Sequence, residues 1–326
     1  MNVARRSVLA VGLALASGIA PAQVSWPAGK PIRIVVPFPA AGQTDVAARV
    51  IAQALGESLK TSVIVDNKSG AHGFIGAVDA AKSPADGYTL FMASTGTIAI
   101  NPKLHAKMPY DPNRDFTPVS LLLTVPIAVV VNPQALKANS LDELVAYAKA
   151  NPGKVNYASA GNGGSSHLVG EYFKYRTGTF LTHIPYRGQA PAIADVVAGQ
   201  VHVMFDTLFS STPHIRSGKL KVLAVATRER LPEYPNVPTV AEALKLSDFE
   251  ASSWSALYAP AGTPPEIVRR IASEIDAALK TPTVAQRFKD LGAIPVGGTP
   301  ERLAAFQLAE QKKWGDVIKA ANVKPD

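Results

Sequence analysis

The sequence predicts an α/β chain of two domains, with parallel-rich sheets flanked by helices. Three observations carry that expectation. Short β-branched runs alternate with helical periodicity along most of the chain, the pattern of repeated β–α–β units. The length of 326 residues suits two domains of about 150 each. The alternation also restarts after a strand-rich stretch, residues 116–131, which reads as a crossover between two units.

Taken in order, residues 1–22 read as a targeting segment rather than as fold. Arg5 and Arg6 give the positive end, residues 8–20 are apolar or small, and Ala20-Pro21-Ala22 offers the small residues a signal peptidase needs. The run is shorter than the roughly 20 residues of a bilayer span. The arginine pair leaves Sec and twin-arginine export both open, and the mature chain is expected to begin near Gln23 in the periplasm.

Residues 32–36 form a buried strand ending at Pro37. A helix follows over 45–59, with Val46, Val50, Ile51, Ala54, Leu55 and Leu59 on one face. Strands are expected at 62–65 and 88–92, with a helix over 73–81 between them. The apolar stretch 121–131 is interrupted by Thr124 and Pro126 and reads as two buried strands, the second over 127–131. Ser140 and Glu143 form a capping box opening a helix that runs through Ala150. Further strands fall at 156–158, 182–184, 203–205 and 221–226, and a run over 252–259 carries the chain back. Thr263 before Pro264-Pro265 and Thr299 before Pro300 are expected to cap helices over 266–279 and 301–319. The division that results is 1–22 signal, 23–124 first part of domain 1, 125–251 domain 2, and 252–326 return crossover with C-terminal helices mostly on domain 1.

Composition narrows the function. Hydrophobic residues at 47% against 18% charged supply real cores and argue against long disorder. The absence of cysteine removes disulfides, thiolate metal sites and cysteine nucleophiles. The net charge is +8; without Arg5 and Arg6 the 33 basic residues become 31 against 25 acidic, or +6. No basic run or basic–aromatic stripe accompanies that charge, so nucleic acid is not the expected partner. A modest positive field suits small anions, although a solvated basic surface accounts for it equally.

Two loops stand out. Pro37-Phe38-Pro39-Ala40-Ala41-Gly42-Gln43-Thr44-Asp45 leads from a strand into an amphipathic helix. Helix starts present unpaired N–H groups with partial positive charge. The dipole contributes about 0.3–1 kcal/mol and each charge-assisted hydrogen bond about 1.5–3 kcal/mol, so for a bound carboxylate the donors matter more. Thr44 or Asp45 as plain helix caps is the alternative. The second loop, residues 159–167 with Ser159, Gly163, Ser165, Ser166 and His167, also joins a strand to a helix. It lacks the Walker lysine and the dinucleotide glycine spacing. Ser165, His167 and Asp206 supply the residue types of a hydrolase triad, but Gly-x-Ser-x-Gly is absent and a Ser and His two apart on one turn do not face each other. The six histidines form no His-Glu-x-x-His, and no metal or cofactor is expected. Arg187 after a strand is a candidate fork for a second carboxylate, with a solvated arginine as the alternative. Asp206 emerges from an apolar strand, placed either to accept a ligand hydrogen bond or to cap the next helix.

Ordered segments along residues 26–326, among them KPIRIVVPFPAAGQTDVAAR, NYASAGNGGSSHL, HIPYRGQAPAIADVVAGQVHVMFD and LYAPAGTPPEIV, are similar to the Bug family, solute-binding proteins of tripartite tricarboxylate transporters. The resemblance implies a Venus-flytrap periplasmic binding protein of type II-like architecture, with the ligand in the cleft between domains. It implies a monomer that partners a small carboxylate and membrane transporter subunits, and no enzymatic activity. A sensor subunit of a two-component system and a periplasmic hydrolase are the alternatives. One wall of the implied site carries over to Phe38, Ala40, Ala41, Gly42, Gln43, Thr44 and Asp45. The opposite wall carries over to Ser159, Gly163, Ser165, Ser166, His167 and Asp206. The chain departs from the family where Ala40-Ala41-Gly42-Gln43 replaces a Pro-Gly-Gly-Pro type of turn. Ala41 in place of glycine is expected to impose a conventional φ, and Gln43 adds an amide within reach of a ligand.

Overall fold

The computed structural model describes residues 26–325, so the expected targeting segment lies outside the described residues. β1 (Ile32–Val36) buries all four of its apolar residues and is followed by α1 (Gln43–Leu59), β2 (Val63–Asn67), α2 (Phe74–Ala81) and β3 (Thr89–Ser94). A π-helical turn over Gly96–Ile100 and the short α3 (Asn101–Leu104) lead into β4 (Phe116–Val131). The middle of the chain alternates α4 (Leu141–Ala150), β5 (Asn156–Ser159), α5 (Ser165–Thr177), β6 (Thr182–Pro185) and α6 (Gln189–Val197). It continues through β7 (Val203–Thr207), α7 (Leu208–Arg216), β8 (Lys221–Val225) and α8 (Val240–Leu244). β9 (Ser252–Pro260) returns, before α9 (Pro265–Leu279), α10 (Pro282–Asp290), β10 (Ile294–Pro295) and α11 (Pro300–Ala320).

The strand order is β2-β1-β3-β9-β4-β7-β5-β6, with β8 and β10 also paired to β4. The expected parallel ladders lie on both flanks, β2-β1-β3 and β7-β5-β6. Through the centre, β9 and β4 run antiparallel to their neighbours, because these two strands carry the chain across and back.

The two strands expected over 121–131 are one. β4 is a single 16-residue strand, and Pro126 does not break it because of where it falls. It makes the last pairing with β9, to Ser252, and Ile127 makes the first with β7, to Thr207. A residue without an N–H is tolerated where one partner strand gives way to the next.

Three buried clusters hold this frame. One runs through both halves, from Val35 and Phe91 to Tyr157, Phe205 and Phe249. Another packs β1 against α1 and α9 through Ile34, Ile51, Leu55 and Ile271; the third lies beneath α6 around Ile193, Val196 and Met204. The buried ridge of α1 is Ala47, Ala48, Ile51, Ala52, Leu55 and Leu59, so Val46, Val50 and Ala54 of the expected face sit half-buried at its margin.

The caps divide by chemistry. Ser140 accepts the Glu143 N–H at 3.2 Å, but the Glu143 carboxylate takes the Asn139 N–H at 2.6 Å instead of closing the box on Ser140. Thr299 accepts from the Arg302 N–H at 3.3 Å. Thr263 caps nothing: its hydroxyl donates back to the Pro260 carbonyl at 2.8 Å, and Pro264 stands at the N-cap of α9. A complete capping box appears instead at Thr239 and Glu242, which stand at the Thr-x-x-Glu spacing.

Candidate ligand-binding cleft

The loop from β1 to α1 is held down from beneath. Gly76 of α2 lets it approach so closely that a Cβ there would come within 2.8 Å of the Pro37 Cα. Asn67 at the end of β2 donates to both the Phe38 carbonyl and Asp45 Oδ1, each at 3.0 Å. Asp45 is 1% exposed, and its other oxygen accepts from the Ala41 N–H at 2.8 Å and Arg49 Nε at 3.0 Å. Burial alone would raise the Asp45 pKa, but the bonds from Arg49, the Ala41 N–H and Asn67 together outweigh it and hold the carboxyl below its ordinary range.

Ala41 corrects an expectation: its φ is +67°, in the left-handed region. That conformation costs an alanine about 1–2 kcal/mol. It turns the Ala41 N–H onto the Asp45 carboxylate, a bond of about 1.5–3 kcal/mol that offsets the strain. The same bond withdraws this amide from any ligand. The open donors of the wall are the first amides of α1, from Gln43 onward, where Gly42 stands as an N-cap with no side-chain bond.

The loop of the opposite wall is held by hydroxyls, imidazoles and glycines. Gly161 (φ +134°) and Gly163 (φ +71°) shape the loop between β5 and α5. Ser166 Oγ accepts the Ala160 N–H at 3.1 Å, and Ser159 Oγ lies 2.6 Å from His183 Nε2 and accepts the Gly161 N–H at 3.2 Å. His167 Nδ1 accepts the Gly163 N–H at 3.0 Å, and its ring stacks on His183 with centroids 3.9 Å apart. Ser159 and His167 are buried behind this loop and support it from within.

Between the walls lies a cleft of about 560 Å³. Its lining contains the starts of three helices: Gly42–Thr44 at α1, Gly164–Ser166 at α5 and Gly188–Gln189 at α6. None of the three N-cap residues, Gly42, Gly164 and Gly188, makes a side-chain cap bond. Unpaired N–H groups from three elements therefore converge on one space, the condition for holding an anion. A wider groove of about 880 Å³ lies outside, between α1, α9 and α10, lined by the mixed charges Arg49, Glu57, Glu274 and Arg287. The helix that starts there, α10, is already capped by Thr281.

The structure brings Phe38, Gly42, Gln43, Thr44, Gly163, Ser165, Ser166 and Arg187 together on the cleft. Ala40, Ala41, Asp45, Ser159, His167 and Asp206 are not on its surface. Asp206 is fully buried, bonded by Gln189 Nε2 and by Ser210 Oγ, the latter at 2.8 Å to each oxygen. Desolvation pushes its pKa up to about 7, against the opposing hydrogen bonds from Ser210 and the Thr207 backbone. Sequence reasoning missed Gln189, His72, Asn101, Tyr186, Ser253 and residues 94–96. Gln189 had a signal, since it follows a glycine at a strand-to-helix junction as Gln43 does. Ser253 had none: it reaches the cleft only because β9 returns beside β3.

The family model described as the tripartite tricarboxylate transporter family receptor matches residues 47–323. The chain belongs to that family. Protein BugT of Bordetella pertussis is 40% identical over 326 residues, covering 99% of each chain. An R. palustris protein solved with adipate superposes with a TM-score of 0.84 at 37% identity, covering 92% of this chain and all of the other. MatC from Rhodopseudomonas palustris, solved with bound malate, gives 0.78 at 33% identity over 88% of this chain and 98% of its own. The family consists of solute-binding receptors rather than enzymes, and the two-domain α/β fold of periplasmic binding proteins is the fold of this chain.

Proposed function

We propose that this receptor captures a small organic carboxylate in the periplasm and delivers it to the membrane subunits of a tripartite tricarboxylate transporter. The observation that carries the reading is the convergence of three uncapped helix starts on one cleft. The solved relatives holding adipate and malate support it from outside the chain. In this reading the amides from Gln43 onward take one carboxylate, with Ser165 and the amides of α5 closing over it. Export with cleavage near Ala22 belongs to the same reading.

Arg187 supplies the far end. It lines the cleft, is exposed, and forms no ion pair among the described residues. Its planar fork suits a second carboxylate, so a dicarboxylate is preferred over its monoacid. Calorimetry on adipate and malate, each beside its methyl ester and amide, tests the reading. The acids are expected to bind at least about tenfold more tightly than the neutral forms, a margin of about 1.4 kcal/mol. Equal affinity of acid and ester removes the carboxylate reading. Unchanged diacid binding in Arg187→Ala removes only the role of Arg187.

A further inference from the structure

The two glutamines on the cleft, Gln43 and Gln189, differ in how their amides are held. Gln43 Nε2 lies 3.4 Å from the Ser253 hydroxyl, which can donate or accept, so either end of that amide can face the ligand. Gln189 has no such freedom. Its Nε2 meets Asp206 Oδ1 and lies 3.1 Å from Ser210 Oγ, whose hydroxyl has acceptors of its own in Asp206, at 2.8 Å to each oxygen, and the Thr207 carbonyl at 3.2 Å. Above about pH 7 the Asp206 carboxylate is ionised and only accepts, so there the nitrogen end of the amide faces inward. The oxygen end, Oε1, makes no hydrogen bond to the described residues and is left for the cleft that Gln189 lines. Burial of Asp206 beneath it keeps water from competing for the inner bonds.

We infer that Gln189 is a specificity-determining residue that presents a fixed acceptor at the α6 wall and selects carboxylates bearing a hydroxyl group. The inference rests on the carboxylate reading proposed above and deepens it. Arg187, two residues earlier on the same wall, takes a carboxylate; Gln189 Oε1 takes the O–H beside it. A ligand offering only further carboxylate or carbonyl oxygens meets an acceptor facing an acceptor, an unsatisfied contact in a desolvated site. Selection of this kind works by leaving the wrong ligand unpaired rather than by excluding its shape.

The test uses pairs of acids differing by one hydroxyl, measured by calorimetry on the purified protein at pH 8, where the ionised form of Asp206 predominates. The pairs are succinate and malate, adipate and 3-hydroxyadipate, tricarballylate and citrate, and benzoate and 4-hydroxybenzoate. In at least one pair the hydroxy acid is expected to bind about tenfold more tightly than its parent, near the upper end for one neutral hydrogen bond. In Gln189→Leu, which keeps the bulk and loses the acceptor, the ratio of hydroxy acid to parent acid should shrink below about twofold. Asp206→Asn leaves Gln189 in place but allows its amide to turn, because asparagine can donate to Oε1; there the ratio should also fall.

Hydroxy acids that bind no better than their parents overturn the inference, as does a preference that persists in Gln189→Leu; both leave the carboxylate reading intact. A preference that persists only in Asp206→Asn overturns the anchoring role of Asp206. Failure of every acid in every pair to bind overturns the carboxylate reading itself, and the inference with it.

Discussion

The two walls of the cleft present similar donors but are built by opposite means. The α1 wall is clamped by charge: one buried carboxylate, Asp45, gathers a backbone N–H, an amide and a guanidinium, and its pKa is lowered. The α5–α6 wall is assembled from hydroxyls, imidazoles and glycines, and its buried carboxylate, Asp206, is driven upward to about 7. Clamping by charge fixes the position of a loop. The α5–α6 wall presents hydrogen-bonding groups of defined polarity beside Arg187, which is what discrimination among anions requires. The difference teaches that a common amide-lined surface can be divided into an anchoring side and a reading side.

The largest expected effect comes from breaking the clamp. Asp45→Ala leaves the Ala41 N–H and Asn67 without their partner, and should lower stability by about 3 kcal/mol and weaken carboxylate binding about a hundredfold. Thermal unfolding and calorimetry measure both; a variant within about 1 kcal/mol of wild type would show the loop to be held by packing alone.

The next effect is in pH dependence, and here the two walls have opposite signs. The folded pKa of Asp206 lies above its unfolded value of 3.8. Between about pH 4 and 7 the folded state keeps a proton that the unfolded chain has lost, so stability falls as pH rises through that window, by at most about 1.4 kcal/mol per pH unit. Asp45 acts the other way: its stabilisation is present above its ordinary value near 3.8 and is lost as pH falls below it. The stability difference between wild type and Asp206→Asn should therefore change steadily from pH 4.5 to 7. A flat difference would break the comparison.

Gly163→Ala should cost about 1 kcal/mol for its left-handed backbone. Its new Cβ would also press on Leu104 of α3, which packs against this loop from the other half of the molecule. Affinity should fall with stability, since Gly163 lines the cleft and the strain falls on its loop. The smallest effect is Ser165→Ala, which removes one hydroxyl from the cleft and should weaken carboxylate binding about fivefold with no change in unfolding temperature. A larger loss would show that the reading wall also anchors.

Much of this was legible before any coordinates. The alternating units, the two strand-to-helix loops and the N-cap at Thr299 follow from local pattern, because periodicity and capping are properties of neighbouring residues. Asp45 and Asp206 are legible as hydrogen-bonding carboxylates, either on the cleft or as helix caps, but not as buried supports. Their retreat behind the surface depends on Asn67, Arg49, Gln189 and Ser210, partners that only the tertiary fold brings near. Ala41 was misread because the carboxylate that rewards its unusual φ lies four residues on, in a helix whose register decides the contact. Thr263 shows the reverse failure. The residue type fits a cap, yet a carbonyl three residues earlier takes its hydroxyl.

β4 and β9 limit how the two sides of the cleft can move against each other. Both halves of the sheet are stitched to the same 16-residue strand, with β9 paired along it from Phe116 to Pro126 and β7 from Ile127 to Val131. No pair of freely rotating backbone bonds separates the halves at this point, so one half cannot swing like a door. Any motion between them has to be a torsion spread along hydrogen-bonded ribbon, and the pairing register shifts between Pro118 and Ser120, Leu121 and Leu123, and Val129 and Val130 are where the ladder is least regular. A twisted ribbon stores elastic energy that grows as the square of its deflection and returns it on release. The amides of β4 and β9 should accordingly be among the last to exchange with deuterated solvent, with or without ligand, while those of the loops they connect exchange early.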